Sequence, residues 1–411
     1  MSTGASHDHV DPSAVQGSAA MGIPLDQLRA DTPGVERVTH FNNAGSALPP
    51  DVVVETTIRH LRLEAEIGGY EAAAATEQEL GSVYGSLAQL LGARTDQIAL
   101  IENATRAWDM AVYGFPFRRG DRVLTARSEY ASNAIALFQL RERHGIEVVL
   151  IDDDPHGQIS LDHLATELER GAAMVALTHT PTNSGLLNPA AAVGELCREH
   201  GAFYVLDACQ SMGQVPIDVN RIGCDVLSAT GRKYLRGPRG TGFLYVSDHA
   251  IETLEPPFLD LHSAEWTSPD SFSIRAGARR FETWEANHAS RLGLGAAVDY
   301  CLAVGVEPIQ QRIGLLAERM RGALGDLDGV AVRDKGELTT GIVTFTHSNV
   351  DSPEIIAALR AHDINVSLSP VEFAQWDLPN RGVPALVRAS VHCYNTEAEV
   401  DRLIEVVEAT T

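Results

Sequence analysis

The chain has 411 residues, 44% of them hydrophobic, and a formal net charge of −23. This length is sufficient for a large core and two domains, and the acidic balance without a basic cluster argues against nucleic-acid binding through phosphate neutralisation. No apolar run approaches the length of a membrane span, so we expect neither nucleic acid nor a membrane as a partner.

The N-terminal segment 1–21 is polar and small, and it lacks the basic region and apolar core of a secretory signal. We therefore predict a disordered tail and a cytoplasmic protein. The five cysteines are dispersed, and no two of them form a Cys-x-x-Cys pair. This predicts reduced thiols, with neither a disulfide framework nor a metal site.

After a turn-rich segment at 41–50, the pattern predicts a helix at 51–67 and another from Thr76 to near Gly92, with Thr76 and Glu79 as a capping box. Strands and helices then alternate. Strands are predicted at 97–101, 122–125, 146–151, 173–177, 202–206, 224–229 and 241–246, with helices at 131–144, from Leu161 and ending near Cys197. Such repeated units predict a mainly parallel, seven-stranded α/β sheet with helices on both faces.

Beyond about Ala289 the pattern changes to a long helix, Leu292–Leu324, and an α+β tail. In the tail, strands are predicted at 342–345, 364–366 and 386–390, and helices at 353–361 and 397–408, the last capped by Thr396 and Glu399. We predict a large cofactor-binding domain at 46–290 and a smaller α+β domain at 291–411. Segment 22–45 is predicted to associate with the smaller domain.

Two polar side chains follow neighbouring strands of the predicted sheet. Asp207 ends the apolar run from Ala202, and Lys233 follows the strand that begins at Cys224. Ligands of open α/β sheets bind outside the carboxyl ends of the strands. An acid and a lysine placed there suit pyridoxal phosphate (PLP), because the amine forms a Schiff base with the aldehyde and the acid keeps the ring nitrogen protonated.

The use of basic residues supports this interpretation. Lys233 and Lys335 are the only lysines, and every other basic side chain besides histidine is arginine. Arginine cannot replace a lysine that must lose its proton, because its guanidinium stays protonated. Taken alone, the pattern is equally compatible with a surface lysine retained by chance.

Four residues are candidates for a phosphate site. Ala104 and Thr105 lie between a predicted strand and a helix, where free backbone N–H groups and the helix dipole bind phosphate. Thr230 and Arg232 flank the lysine and complete a cup. An ordinary helix N-cap would give the same pattern at 103–105.

Two further residues are candidates for the ring and for the substrate. Tyr130 follows a strand and is placed to stack on a flat ring, although tyrosines in such positions are more often part of the core. Arg388 is a cation inside an apolar strand, where a substrate carboxylate would fit its bidentate fork. A structural ion pair is the alternative for Arg388.

From about Phe41 to the C-terminus, the chain resembles the class V aminotransferase family of PLP fold type I, which includes cysteine desulfurases, isopenicillin N epimerase-like proteins and C–S lyases. The most specific segments are Asp207-Ala-Cys-Gln, Thr230-Gly-Arg-Lys with Gly237-Pro-Arg-Gly-Thr-Gly, and Arg388-Ala-Ser with Tyr394-Asn-Thr-Glu. The resemblance implies the PLP-dependent transferase fold and a homodimer whose sites are completed by the neighbouring subunit.

The resemblance also implies a role for each matching residue. Lys233 would be the Schiff-base lysine and proton shuttle, and Arg388 would bind the substrate carboxylate. The cofactor would be held by Asp207 at the ring nitrogen, Gln210 at the ring hydroxyl, Tyr130 and Cys209 on the two ring faces, and Ala104, Thr105, Thr230 and Arg232 at the phosphate. The substrate side would be lined by Asn43, Thr182 and Asn183, and residues 280–287 would reach across the dimer.

The sequence departs from the family pattern at Tyr130, at Arg232, at residues 284–285 and in the loop 367–384. Many members have histidine where Tyr130 and Arg232 stand. Trp284-Glu285 replaces the usual Gly-Thr of the dimer segment, so we expect Trp284 to shape a substrate wall. The loop 367–384 has no cysteine and carries Phe373 and Trp376, which suit a bulky or apolar substrate.

From these departures we expect an enzyme other than a persulfide-forming cysteine desulfurase. The leading expectation is a C–S lyase that eliminates a thiol from an S-substituted cysteine conjugate in secondary metabolism, such as antibiotic biosynthesis. Decarboxylation with oxidative deamination of the same conjugate is the alternative, followed by transamination or epimerisation. A non-catalytic scaffold is disfavoured, because Asp207, Gln210, Lys233 and Arg388 are all present.

Overall fold

The structure is a computed structural model that describes residues 24–410. The predicted disordered tail, 1–21, lies outside the described residues. The α-helices are α1 Leu25–Ala30, α2 Asn43–Ser46, α3 Asp51–Ile67, α4 Gly69–Ala75, α5 Glu77–Leu91, α6 Ala104–Val112, α7 Ala131–His144, α8 Leu161–Glu169, α9 Ala190–His200, α10 Val219–Ile222, α11 Asp248–Thr253, α12 His288–Val304, α13 Val306–Gly325, α14 Ser352–Ala361 and α15 Glu397–Thr410.

The strands form two larger sheets and two short pairs. They are β1 Thr39–His40, β2 Ile98–Ile101, β3 Arg122–Ala126, β4 Glu147–Ile151, β5 Met174–Thr178, β6 Phe203–Asp207, β7 Val226–Thr230, β8 Gly242–Val246, β9 Ala264–Ser268, β10 Ser271–Ile274, β11 Val330–Val332, β12 Ile342–His347, β13 Ile364–Asn365, β14 Ser367–Pro370 and β15 Ala385–Ser390. The predicted seven-stranded sheet is confirmed, with strand order β2-β8-β7-β6-β5-β3-β4.

The central sheet is parallel except at one edge. β8 runs antiparallel to both β7 and β2, and the other neighbours are parallel. Every residue of β5, β6, β7 and β8 is buried, as expected for strands covered by helices on both faces. Thr178 pairs with Asp207 and Asp207 with Ser228, so the carboxyl ends of β5, β6 and β7 form one edge.

A smaller antiparallel sheet, β11-β12-β15-β14, follows along the chain. Its strand β15 holds Arg388 between Thr344 of β12 and Ser367 of β14. Near the N-terminus, β1 pairs in parallel with β13. The capping box predicted at the last helix is confirmed, because Thr396 and Glu399 exchange hydrogen bonds of 3.1 Å.

The predicted helix 292–324 is two helices rather than one. α12 and α13 meet at Gly305 with a bend of 79°. Gly305 has a φ of 90°, which an L-residue rarely adopts, and Pro308 follows in the first turn of α13. The apolar periodicity continues across the break and therefore conceals it from sequence reasoning.

Two other local predictions need correction. Thr76 does not cap α5, because the preceding residues already form α4 and the Thr76 hydroxyl donates back to the Ala72 carbonyl at 2.9 Å. The hairpin of β9 and β10 has no counterpart among the predicted strands. Its residues are largely exposed, so they lack the buried apolar pattern on which strand prediction depends.

The predicted division into domains stays a prediction. The helix α12 packs on α3 and α5, whereas α13 packs on α15 and β11, which favours a boundary at Gly305 rather than at 290–291. Within residues 24–410, no single helix combines the length and apolar character of a membrane span, and the bent pair α12–α13 meets those criteria only when its two helices are taken together.

Candidate active site

The carboxyl edge of the central sheet opens into a cavity of about 260 Å³. It contains both residues on which the sequence argument rests, Asp207 at the end of β6 and Lys233 after β7. The lining consists of Asn103, Ala104, Thr105, Tyr130, Thr178, Thr180, Thr182, Asp207, Cys209, Gln210, Thr230, Arg232, Lys233, Arg239 and Gly240. Burial lowers the pKa of the Lys233 amine, which increases the neutral, nucleophilic fraction of that group.

The Asp207 carboxylate is fixed by two donors from opposite sides. Its Oδ1 accepts a 2.8 Å bond from the Cys209 backbone N–H, and its Oδ2 accepts a 2.9 Å bond from Asn133 Nδ2. Asp207 is 4% exposed. A buried carboxylate held in this way is arranged to accept one more proton-bearing group, such as a protonated ring nitrogen in the cavity.

One end of the cavity is suited to an anion. Here α6 begins, and Ala104 and Thr105 of its first turn line the cavity. The Asn103 side chain caps the helix by accepting from Arg106 N at 3.0 Å, and the free backbone N–H groups of a helix start favour an anion. Gly242 lets β8 approach this helix end, because a Cβ there would lie 2.7 Å from the Ala229 carbonyl oxygen and 2.9 Å from the Asn103 carbonyl carbon.

A chain of polar contacts joins the cavity to the smaller sheet. Gln210 Nε2 donates to Thr182 Oγ1 at 3.0 Å, and Arg388 Nη1 donates to the same oxygen. Arg388 Nη2 donates to Asn42 Oδ1 at 3.2 Å. The Oε1 of Gln210 and the Nε of Arg388 have no hydrogen-bond partner among residues 24–410. Burial lowers the pKa of Arg388 to about 10, which marks a guanidinium in need of an anion.

Two residues predicted near the ligand lie elsewhere. Asn43 is fully buried, its Nδ2 donates to the carbonyls of His40 and Ser390, and its Oδ1 accepts from the Tyr394 hydroxyl. Asn183 donates to the Phe373 carbonyl at 3.3 Å and accepts from the Ser369 hydroxyl. Neither lines the cavity, because both amides are committed to neighbouring backbone and side chains.

The predicted aromatic wall is also outside the cavity lining within this chain. Trp284 is 55% exposed and Phe373 is 48% exposed. Trp376 packs edge-on against Phe138, with ring centroids 5.4 Å apart. Glu285, which follows Trp284, lines a separate cavity that shares Gly240 with the first.

Sequence reasoning missed several residues at the site. Thr178 ends β5 and Thr180 follows it, on the same sheet edge as Asp207, and Arg239 belongs to the glycine-rich segment after Lys233. The strand-end rule that found Asp207 applies equally to Thr178. Glu129 and Asn133 are four residues apart on one face of a helix start, and only the tertiary structure brings Asn133 to Asp207.

These features fit PLP. The cavity combines an anchored carboxylate, a buried lysine and a helix N-terminus, and beside it Gln210 Oε1 and Arg388 Nε have no partner in the part of the chain that the structure describes. Together with the doubly covered, mostly parallel sheet, they define a PLP-dependent enzyme of fold type I. Residues 38–403 match the family model of the class-V aminotransferases, and the chain belongs to that family.

Relatives of known name cover nearly the whole chain. A probable cysteine desulfurase of Pyrococcus abyssi is 27% identical over 397 residues, covering 94% of this chain and 98% of the relative. One from Xylella fastidiosa strain 9a5c is 30% identical over 398 residues, covering 92% and 94%. The apo structure of a cysteine desulfurase from Thermococcus onnurineus NA1 superimposes with a TM-score of 0.88 at 26% identity, covering 95% and 99%.

These comparisons correct the function expected from sequence. The chain is similar over nearly its full length to proteins named cysteine desulfurases, so the exclusion of a persulfide-forming desulfurase is wrong. The leading expectation of a lyase for cysteine conjugates depended on that exclusion and is wrong with it. That exclusion was inferred from the absence of a cysteine in the loop 367–384. Nothing in the relatives' names supports decarboxylation or antibiotic biosynthesis.

Proposed function

We propose that this protein takes sulfur from L-cysteine, as the relatives named cysteine desulfurases do. The observation that carries the proposal is the run of contacts from Arg388 through Thr182 to Gln210, which ends in the cavity of Lys233 and Asp207. In this proposal the Arg388 guanidinium binds the α-carboxylate and Lys233 acts as the base, and the amino acid binds between them.

Each residue has a definite task in this proposal. PLP, when bound, supplies a ring that withdraws electrons from the substrate's α-carbon. Lys233 takes and returns the α-proton, for which its lowered pKa prepares it. Asp207 keeps the ring nitrogen protonated, Arg388 binds the carboxylate, and the N-terminus of α6 with Thr230 and Arg232 holds the phosphate.

The sulfur needs an acceptor thiol. The acceptor's thiolate attacks the cysteine sulfur, and the Cβ–S bond breaks with its electron pair left on Cβ. Cβ then takes a proton, so that the products are alanine and the acceptor's persulfide. Cys209 is the one cysteine that lines the cavity among residues 24–410, and burial raises the pKa of its thiol to about 12. Because the thiolate is the nucleophile, this favours an acceptor supplied by another molecule.

The products of L-cysteine test the proposal. With PLP-loaded protein and dithiothreitol as the acceptor, we expect alanine and sulfide in equal amounts, and slower formation of both when dithiothreitol is omitted and the cysteine thiol is the acceptor that remains. The measurement is amino-acid analysis with a sulfide assay. Pyruvate and ammonia in place of alanine, or no consumption of cysteine, would overturn it.

We also propose a cytoplasmic homodimer. Large apolar side chains are exposed before, within and after the hairpin β9–β10. Their exposed fractions are 42% for Phe258, 71% for Leu261 and Trp266, 61% for Phe272 and 55% for Trp284. Trp266 and Phe272 are partners across the hairpin, and exposed apolar patches are typical of association surfaces. The segment 284–287 would then contribute to the partner's site, where Trp284 and Glu285 face its cavity.

Sedimentation velocity checks the association. We expect the mass of two chains for the unmodified protein and of one chain for Trp266→Glu, because a buried carboxylate in the contact would cost more than the contact gains. Tyr70→Glu, a change at a residue 77% exposed on α4, serves as the matched surface control. A single-chain mass for the unmodified protein would refute the dimer.

A further inference from the structure

We propose that Glu129 is a positioning residue of the cofactor site, acting through Asn133 and Asp207 to hold the cofactor's ring nitrogen protonated. Glu129 lies between β3 and α7, immediately before Tyr130. It touches none of the reacting atoms assigned above. The inference depends on PLP binding and is independent of which amino acid the enzyme takes.

The coupling runs through a single amide group. Asn133 Nδ2 donates one hydrogen to Glu129 Oε1 and the other to Asp207 Oδ2, both at 2.9 Å. The opposite orientation of the amide would place its carbonyl oxygen against two carboxylates. The two acidic groups therefore fix the amide, and the amide holds the two acidic groups at a set separation.

The environment of Glu129 is built for a carboxylate. Its oxygens accept from the Tyr130 backbone N–H at 2.7 Å, from Thr125 Oγ1 at 3.0 Å and from the Thr178 hydroxyl. It is 3% exposed, and no ion pair joins it to an arginine or lysine within residues 24–410. Four donors without a cation indicate an anion stabilised by hydrogen bonding alone.

Burial and the neighbouring Asp207 charge raise the pKa of Glu129 to about 7, while the Thr178, Asn133 and Tyr130 bonds oppose the rise. Two carboxylates sharing one buried donor repel each other, and a cation beside Asp207 relieves that repulsion. A protonated ring nitrogen is such a cation. Because coupling is reciprocal, ionised Glu129 favours the protonated ring.

The groups that surround Glu129 and Asp207 come from the cavity and from the central sheet. Lys233, Arg232 and Tyr130 line the cavity together with Asp207, whereas Glu129 and Asn133 are not among its lining residues and reach Asp207 through the Asn133 amide. On the sheet side the facing groups are the hydroxyls of Thr125 and Thr178. Within residues 24–410, Asp207 is the one charged group whose electrostatic interaction raises the pKa of Glu129.

Glu129→Gln removes the charge and keeps the shape. Using PLP alone as the probe, we expect affinity to fall on the order of 10-fold by equilibrium dialysis, as for other outer-shell partners. We expect the midpoint of the pH-dependent change in visible absorption to move down by about one pH unit. The variant has lost a negative charge that stabilises the protonated cofactor, so the cofactor loses its proton at lower pH. Thr125→Val, which removes one donor to Glu129, should shift both quantities in the same direction by less.

Asp334→Asn is the matched control. The Asp334 side chain is 5% exposed, pairs with Arg321 of α13 beside the smaller sheet, and is not part of the cavity lining. Its loss should lower the melting temperature and leave both cofactor measurements unchanged. Unchanged affinity and midpoint in folded Glu129→Gln would overturn the proposal. If that variant does not fold, unchanged values in Thr125→Val would do so.

Discussion

Replacing Lys233 with alanine is expected to abolish covalent retention of PLP and to lower turnover by at least about 10²–10⁴-fold, the usual share of a positioned acid–base group. Lys233 is 8% exposed and lies in the loop after β7, so removing its side chain leaves the sheet intact. Borohydride treatment followed by mass spectrometry measures the covalent link, and circular dichroism measures the fold.

The chain offers an unusually clean control for this experiment. Lys335 is the other lysine, and its Nζ donates to Asp153 Oδ2 at 2.5 Å and Asp377 Oδ1 at 2.9 Å. Lys335→Ala should reduce stability and retain the reducible PLP link at Lys233. Turnover that survives in Lys233→Ala would refute the central assignment of this site.

Replacing Arg388 with alanine is expected to weaken amino-acid binding by about 2–4 kcal/mol, because a buried charge-assisted pair is lost. The ligand for the measurement is L-alanine, which has the carboxylate and no sulfur to release. Its affinity should fall by about 30- to 1,000-fold in a spectral titration. Ethylamine, which has no carboxylate, should bind the variant and the unmodified protein alike.

Arg321→Ala separates recognition from structure. Arg321 also sits in the smaller sheet region, where it donates to Asp334 and to the carbonyls of Thr340 and Ile342. Its loss should lower stability with no change in the alanine affinity. Equal affinity for alanine with and without the Arg388 guanidinium would place the carboxylate site elsewhere.

The parts of the site that sequence reasoning located follow a local rule. Asp207 and Lys233 come directly after apolar runs, and parallel strands bring such ends to one edge whatever the rest of the chain does. Arg388 was found by a different local signal, because it is a cation inside an apolar strand, where a charge needs a partner. The seven strands of the central sheet and most helix bounds followed from the apolar pattern, whereas the order of the strands is known only from the structure.

The parts that escaped depend on contacts between distant segments. Asn133 donates to Asp207, which lies 74 positions later in the sequence. The Tyr394 hydroxyl, 351 positions after Asn43, donates to the Asn43 amide oxygen, which is then not available to a ligand. No spacing in the sequence announces either contact. Gly305 is different, since its break lies inside a continuous apolar pattern and is visible only in the backbone angle.

The pairing of Lys335 with Asp153 and Asp377 has a practical consequence. An amine-reactive reagent meets only two lysine side chains in this protein, and the one outside the cavity is shielded between two carboxylates. Labelling of Lys233 would therefore compete directly with PLP for the same nitrogen. The near absence of lysine makes cofactor occupancy readable by peptide mapping of a single modified residue, without any engineered tag or dye.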